Sequence, residues 1–214
     1  MKGSKTTLKF FNCFSFIIFF IFLNFKIVYG LEQKFSSKDK VDKDKVEVFF
    51  QNLKTLEADF LQVSPSGNVS NGKIFLDLPG KLRINYKNPN DLLITCKGFW
   101  IVIQNRKLKT TNNIPLKQTP FSIILDNRID FKNDNLIFDF TKKSGIIILK
   151  IRITKNPKAG ELILEFSENP LILKKWTIKN VLGEETTVLI QNAIYNKKLS
   201  YKIFFPDDFP EPEN

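Results

Sequence analysis

The sequence predicts a mainly β, α+β domain in which a curled antiparallel sheet is accompanied by two helices. Three observations carry that prediction. From residue 73 onward, short segments alternate apolar and polar side chains with period two. Tight turns rich in Gly, Pro and Asn separate them. The crossover helices that parallel strands need are missing between them.

Residues 1–30 precede this domain and read as a secretory signal. Lys2, Lys5 and Lys9 form a positive start, and Phe10 to Phe25 is an apolar run broken by Asn12, Ser15 and Asn24. Gly30 places a small residue at the expected cut. The competing reading is an uncleaved anchor. The run of about 16 residues is shorter than the ~20 that a span needs, and Lys26 interrupts its end. Cys13 lies at the start of the run, whereas a lipid-modified cysteine would follow it. Periplasmic export is therefore the expectation.

Residues 31–45 are polar and read as a leader. Val46, Phe49, Leu53, Leu56 and Phe60 then recur at spacings of three and four, which predicts a helix across residues 46–60. Ser64 to Gly72 is a turn with Pro65, Gly67 and Asn68. The first strands follow. Ile74, Leu76 and Leu78 share a face, as do Leu82, Ile84 and Tyr86, with Pro79-Gly80 as the turn between the two segments. Leu92 to Cys96 and Trp100 to Ile103 come next. Thr119 as cap and Pro120 at the first position predict a short helix over residues 120–126. Strands resume at Leu136–Thr141, Ile146–Ile153, Glu161–Phe166, Lys175–Lys179, Glu185–Gln191 and Tyr201–Phe205. The domain thus spans 46–206 with about ten strands. Residues 207–214 form an acidic, Pro-containing tail. A sheet of that size tends to curl into a barrel-like shell. Such a shell is either filled by its own side chains or left partly hollow under a helical lid, and periodicity alone does not distinguish the two.

Composition removes several function classes. The chain has no histidine, and past residue 30 its one cysteine is Cys96. Ser-His and Cys-His pairs, most zinc and copper sites and an internal disulfide are excluded. Gly-rich phosphate loops and a Gly-x-Ser-x-Gly elbow are absent. Glu184-Glu185 and Asp207-Asp208 are adjacent pairs, and neighbours on a strand face opposite ways. A carboxylate pair drawn from distant positions stays open. No enzyme, catalytic residue, metal or cofactor is expected.

The net charge of +11 falls to +7 when the four lysines of residues 1–30 leave. A basic chain can meet nucleic acid or an anionic membrane surface. Phe99-Trp100 and Arg106-Lys107 could serve base stacking. The plainer reading is scattered surface lysine with sheet core and rim. An exported protein rarely meets nucleic acid, so none is expected as a partner.

The stretch Gly72-Lys-Ile-Phe-Leu-Asp-Leu-Pro79-Gly-Lys-Leu-Arg83-Ile-Asn-Tyr86-Lys-Asn-Pro89 resembles a pattern of the outer-membrane lipoprotein carrier (LolA) family. Gly98-Phe99-Trp100, Thr119-Pro120-Phe121 with Ile124-Leu125, and Ile203-Phe204-Phe205-Pro206 follow in the family's order. One departure stands out. Relatives carry an Arg directly before the strand-ending Pro, and it bonds to the lid, whereas this chain has Leu78. The resemblance implies an incomplete, half-open β-barrel closed by an α-helical lid over an apolar cavity. It implies a monomeric periplasmic carrier of lipoprotein acyl chains without a cofactor. Its implied partners are an inner-membrane ABC-type release complex and an outer-membrane receptor. The alternative is a non-catalytic module of the same shape that binds another hydrophobic ligand or acts as a receptor or sensor. Candidate pocket or lid residues are Phe60 on the predicted helix, Ile74 and Leu76, then Leu82, Ile84 and Tyr86, then Trp100, Phe121 and Ile124. Ordinary core packing is the competing role for each.

Overall fold

A computed structural model describes residues 37–209 apart from 88, 126–128, 130 and 133. The expected signal, residues 31–36 of the expected leader and residues 210–214 of the expected tail lie outside the described residues.

Helix α1 is Ser37–Asn52. It begins inside the stretch read as a leader and ends eight residues short of Phe60. The segment Thr55–Val63 is strand β1. The expected helix through residue 60 is therefore corrected. Leu56, Ala58 and Phe60 are buried and alternate with less buried Glu57, Asp59 and Leu61. A spacing of four satisfies a helix stripe and a strand face alike. Pairing with two neighbouring strands decided between them.

The strands that follow are β2 (Val69–Asp77), β3 (Lys81–Tyr86), β4 (Leu92–Lys97), β5 (Trp100–Asn105) and β6 (Thr110–Pro115). A 3-10 turn at Leu116–Gln118 leads into α2, Phe121–Leu125. The Thr119 hydroxyl donates to the Leu116 carbonyl at 2.9 Å, so it closes that preceding turn. Strands β7 (Leu136–Lys143), β8 (Ile146–Ile153), β9 (Glu161–Ser167), β10 (Ile172–Lys179) and β11 (Glu185–Tyr195) complete the chain's sheet.

All eleven strands form a single sheet in the order β6-β5-β4-β3-β2-β1-β11-β10-β9-β8-β7, and every pairing is antiparallel. Two meanders are thus joined by the long-range pairing of β1 with β11. The edges β6 and β7 do not pair, so the sheet is open and not a closed barrel. Both edges carry protection against pairing with another chain. β6 is polar, Thr-Thr-Asn-Asn, with a terminal Pro. On β7 the register puts Lys142 opposite buried Ile147, an inward-pointing charge.

Between the two edge strands one face of the sheet is apolar. Register aligns Leu76 with Leu56 and Leu82, and Ile74 with Ala58 and Ile84. On the other half it aligns Leu164 with Leu149 and Trp176. α1 lays Val46 and Phe50 into this core, and Leu53 just past its end joins them. The Phe49 and Phe50 rings meet Phe166 edge-on at 5.4 and 5.9 Å. Lys142 Nζ binds Asp42 of α1 at 2.6 Å and also pairs with Glu168, which ties the helix to both the edge strand and the β9–β10 turn.

The expected strand at Tyr201–Phe205 is a second correction: residues 201–204 form a 3-10 turn. β11 already has a neighbour on each side, so no free edge is available there. The segment crosses the outer face of β3 to β5 instead and buries Phe204 completely. Arg83 Nη1 donates to the carbonyls of Ile203 and Phe205 at 2.8 and 3.1 Å. Asp207 receives Arg106 at 2.6 Å, and its backbone pairs both ways with the Gln104 amide.

Candidate functional site

The apolar face leaves a hollow of about 260 Å³ toward one end of the central strands. β1 contributes Phe60 and Gln62, and β2 contributes Ile74. β3 and β4 contribute Ile84, Tyr86 and Ile94. From the other meander come Trp176 and Ile178 of β10 and Thr186 and Val188 of β11. Phe121 of α2 completes the wall.

Gly72 helps to shape this wall. It lies opposite Phe60 in the β1–β2 register, and a Cβ there would stand 2.7 Å from the Phe60 ring and 1.9 Å from the Asn85 carbonyl oxygen. Its missing side chain lets the Phe60 ring reach the Tyr86 ring edge-on at 5.1 Å. The Tyr86 hydroxyl donates to Gln62 Oε1 at 2.8 Å. Burial pushes the Tyr86 phenol up to about 12, against the opposing pull of the Gln62 bond. The phenol therefore stays neutral, and no lining residue carries a charge. The indole N–H of Trp176 has no hydrogen-bond partner among the described residues.

α2 closes the site. Phe121 packs edge-on against Trp176 at 6.4 Å. At the other end of α2 the Leu125 carbonyl accepts the Gly80 N–H of the β2–β3 turn at 2.8 Å. Leu78 is buried and offers the lid no polar side chain. Arg83 faces the opposite side and holds the C-terminal segment. The described contacts of the lid are thus a backbone hydrogen bond and apolar packing.

Of the nine residues singled out in the sequence, Phe60, Ile74, Ile84, Tyr86 and Phe121 line this hollow. Leu76, Leu82 and Ile124 are buried in the core beside it. Trp100 is 53% exposed and does not line it. Sequence reasoning missed Trp176, Ile178 and Val188. Alternation marks them as strand residues, but nothing local sets β10 and β11 beside β1.

A wider groove of about 900 Å³ opens beneath α1, between Val48, Phe49 and Asn52 of the helix and Ile172, Ala193 and Tyr195 of the sheet. Asp44 and Lys45 border it. It sits at the opposite end of β11 from Val188. The smaller hollow is the more enclosed and the uncharged one, and it lies under the lid.

Other chemistry finds little footing among the described residues. No group of three or more Cys, Asp or Glu residues could hold a metal. Burial pushes the Cys96 thiol up to about 11, so it is no nucleophile near neutrality. Among the described residues no helix is long and apolar enough to cross a membrane.

Comparison with known proteins gives a family match and distant fold likenesses. The family described as outer membrane lipoprotein carrier protein LolA matches residues 51–207. An uncharacterised protein of Rickettsia prowazekii (strain Madrid E) is 23% identical over 171 residues, covering 77% of this chain and 78% of that one. The LolA superfamily protein NE2245 from Nitrosomonas europaea superposes with a TM-score of 0.43 at 10% identity, over 79% of this chain and 96% of that one. An uncharacterised conserved protein from Thermus thermophilus gives 0.47 at 7% identity, over 81% and 95%.

Proposed function

Because the chain belongs to the outer membrane lipoprotein carrier protein LolA family, we propose that it is a periplasmic carrier that shelters lipoprotein acyl chains between membranes. The observation that carries this reading is the uncharged hollow enclosed by both meanders and roofed by α2. Burial of one CH₂ contributes about 0.8 kcal/mol, so baring a chain of roughly 16 carbons to water costs on the order of 12 kcal/mol. A carrier must offset most of that and still release its load. Aliphatic and aromatic walls suit this, since their contacts impose few directional demands.

The hollow is slightly smaller than the roughly 300–1,000 Å³ of pockets that enclose whole small ligands. The closed form thus accepts part of one chain, and loading more requires α2 to lift. Few polar contacts oppose that step. In this reading Phe60, Ile74, Ile84, Tyr86 and Phe121 touch cargo, while Leu76, Leu82 and Ile124 support the wall. A release complex in the inner membrane would load the protein and an outer-membrane acceptor would unload it.

The small volume also favours a second reading, a non-catalytic module for another hydrophobic ligand. Mass spectrometry of material that co-purifies with the protein separates the two. A triacylated lipoprotein is expected for the carrier. Free fatty acid or phospholipid alone would replace the first reading by the second. A single Asp or Glu that proved indispensable in complementation would overturn both in favour of an enzyme.

A further inference from the structure

Four exposed aromatic side chains gather near one end of the sheet, away from the apolar face. The β4–β5 hairpin tip carries Phe99 and Trp100, which are 78% and 53% exposed. The C-terminal crossing segment carries Tyr201 and Phe205, which are 48% and 42% exposed. Lysines of β3 and β4 hold the second group. Lys97 Nζ sits 3.9 Å from the centre of the Phe205 ring and 4.5 Å from that of Tyr201. Lys81, opposite Lys97 in the β3–β4 register, stands 5.5 Å over Tyr201. The two rings meet edge-on at 5.3 Å. Trp100 follows Lys97 across the tight turn of the hairpin.

Core packing does not account for this arrangement, since aromatic rings of this size are normally covered. Cation–π contacts fix the lysine heads among the rings instead of sending them into bulk water. Lys81 is neutralised by Asp77 at 2.6 Å. Lys97 and exposed Lys202 form no ion pair among the described residues. The patch therefore joins aromatic rings to lysines without an ion pair among the described residues, on a chain that keeps a net charge of +7 without residues 1–30. Trp and Tyr rings beside Lys are the side chains that favour the boundary between lipid headgroups and acyl chains.

From this geometry we infer that the Lys97–Phe99–Trp100–Tyr201–Phe205 patch is a docking site for an anionic phospholipid surface. Phe99 and Trp100 enter the headgroup region, and Lys97 and Lys202 meet the lipid phosphates. The tip is also wired to the lid. The Phe99 carbonyl accepts the Leu116 N–H at 2.9 Å, at the turn that leads into α2. Gly98 N–H reaches the Gly80 carbonyl at 3.3 Å, and Gly80 N–H holds the far end of α2. A membrane contact at the tip thus lies next to both attachments of the cover. The inference stands apart from cargo binding, because none of the patch residues lines the hollow.

The test uses the two tryptophans of the chain, neither of which lies in residues 1–30. Trp176 is 1% exposed but lines the hollow, so the part of an emission change on vesicle addition that Trp100→Phe abolishes is the part that reports Trp100. The full chain is titrated with phosphatidylcholine vesicles and with the same vesicles containing phosphatidylglycerol. A blue shift of Trp100 that is stronger with the anionic vesicles is expected, together with quenching by brominated acyl chains. Phe99→Ser and Lys97→Glu should each weaken the response, the lysine change by about fivefold or more. Both sites are surface positions, and unchanged thermal unfolding shows that the fold is intact. Trp100 emission that ignores vesicles, or vesicle binding indifferent to both substitutions, overturns the inference. So does photo-crosslinking from position 99 in cells that captures a protein partner or a second copy and no lipid. A chain that docks yet fails to bind an alkyl probe would leave this inference standing and remove the carrier reading.

Discussion

At Gly72 the backbone of β2 passes so close to β3 that no side chain fits. An added Cβ would meet the Asn85 carbonyl oxygen at 1.9 Å, and backbone cannot swing aside as a flexible side chain can. Gly72→Ala is expected to cost about 1–3 kcal/mol, toward the upper end of what overpacking costs. Denaturant unfolding measures it, and an unchanged midpoint would show that the strands absorb the methyl group. The same glycine gives Phe60 its route to Tyr86, so a residue that reads as turn punctuation in the sequence shapes the wall of the hollow. Phe60 itself shows how a correct residue can be placed on a wrong element. Its apolar character was legible, while the choice between helix and strand was not.

Two small elements control the surfaces of the sheet. The C-terminal segment is held through Asp207. Partial burial would raise its carboxyl, but the hydrogen bond from Arg106 and the charges of Arg106 and Arg83 outweigh this and hold it below the ordinary 3.8. A depressed folded-state value stabilises the protein above the ordinary carboxylate value, and the contribution is lost as pH falls through the folded one. Asp207→Asn should therefore melt lower than the parent near neutral pH, and the gap should close in acid below pH 3.8. Added salt should narrow it as well, because the carboxylate is partly exposed. Equal melting across that range would mean that the clamp contributes nothing. The second element is α2. Removal of its aromatic contact by Phe121→Ala should speed the release of a hydrophobic probe by about two- to tenfold, the factor that ~0.5–1.5 kcal/mol of ring contact represents. Stopped-flow release kinetics decide this, and an unchanged rate would place the exit elsewhere.

On the scale of the whole molecule, two meanders become one sheet through the pairing of β1 with β11. That pairing brings Trp176 and Val188 to Phe60 and creates the enclosed hollow. Any ligand that binds only the folded sheet stabilises it by mass action. An alkyl probe at about 100 times its Kd should then raise the free energy of unfolding by ~2.7 kcal/mol, visible as a higher Tm. Ile74→Trp, which fills the hollow, should abolish the shift while leaving a folded protein. A shift that survives the filling would point to the groove beneath α1 as the binding place.

Period-two alternation and Gly/Pro/Asn turns are local, and the antiparallel sheet, most of its strands and the short lid were accordingly legible from residue order. The alternating pattern of residues 72–98 was equally readable, and five of the nine chosen residues do line the hollow. Which strands become neighbours across more than 100 residues was not legible, because β1 and β11 carry no complementary mark and gain their pairing from the shared apolar face. The same holds for Tyr201–Phe205, whose apolar spelling suits a strand but which follows a strand already paired on both sides and folded over Arg83. Sequence determined the parts because local chain geometry is encoded residue by residue. Tertiary structure decided the cavity, its cover and the outer patch, because each exists only where distant segments meet.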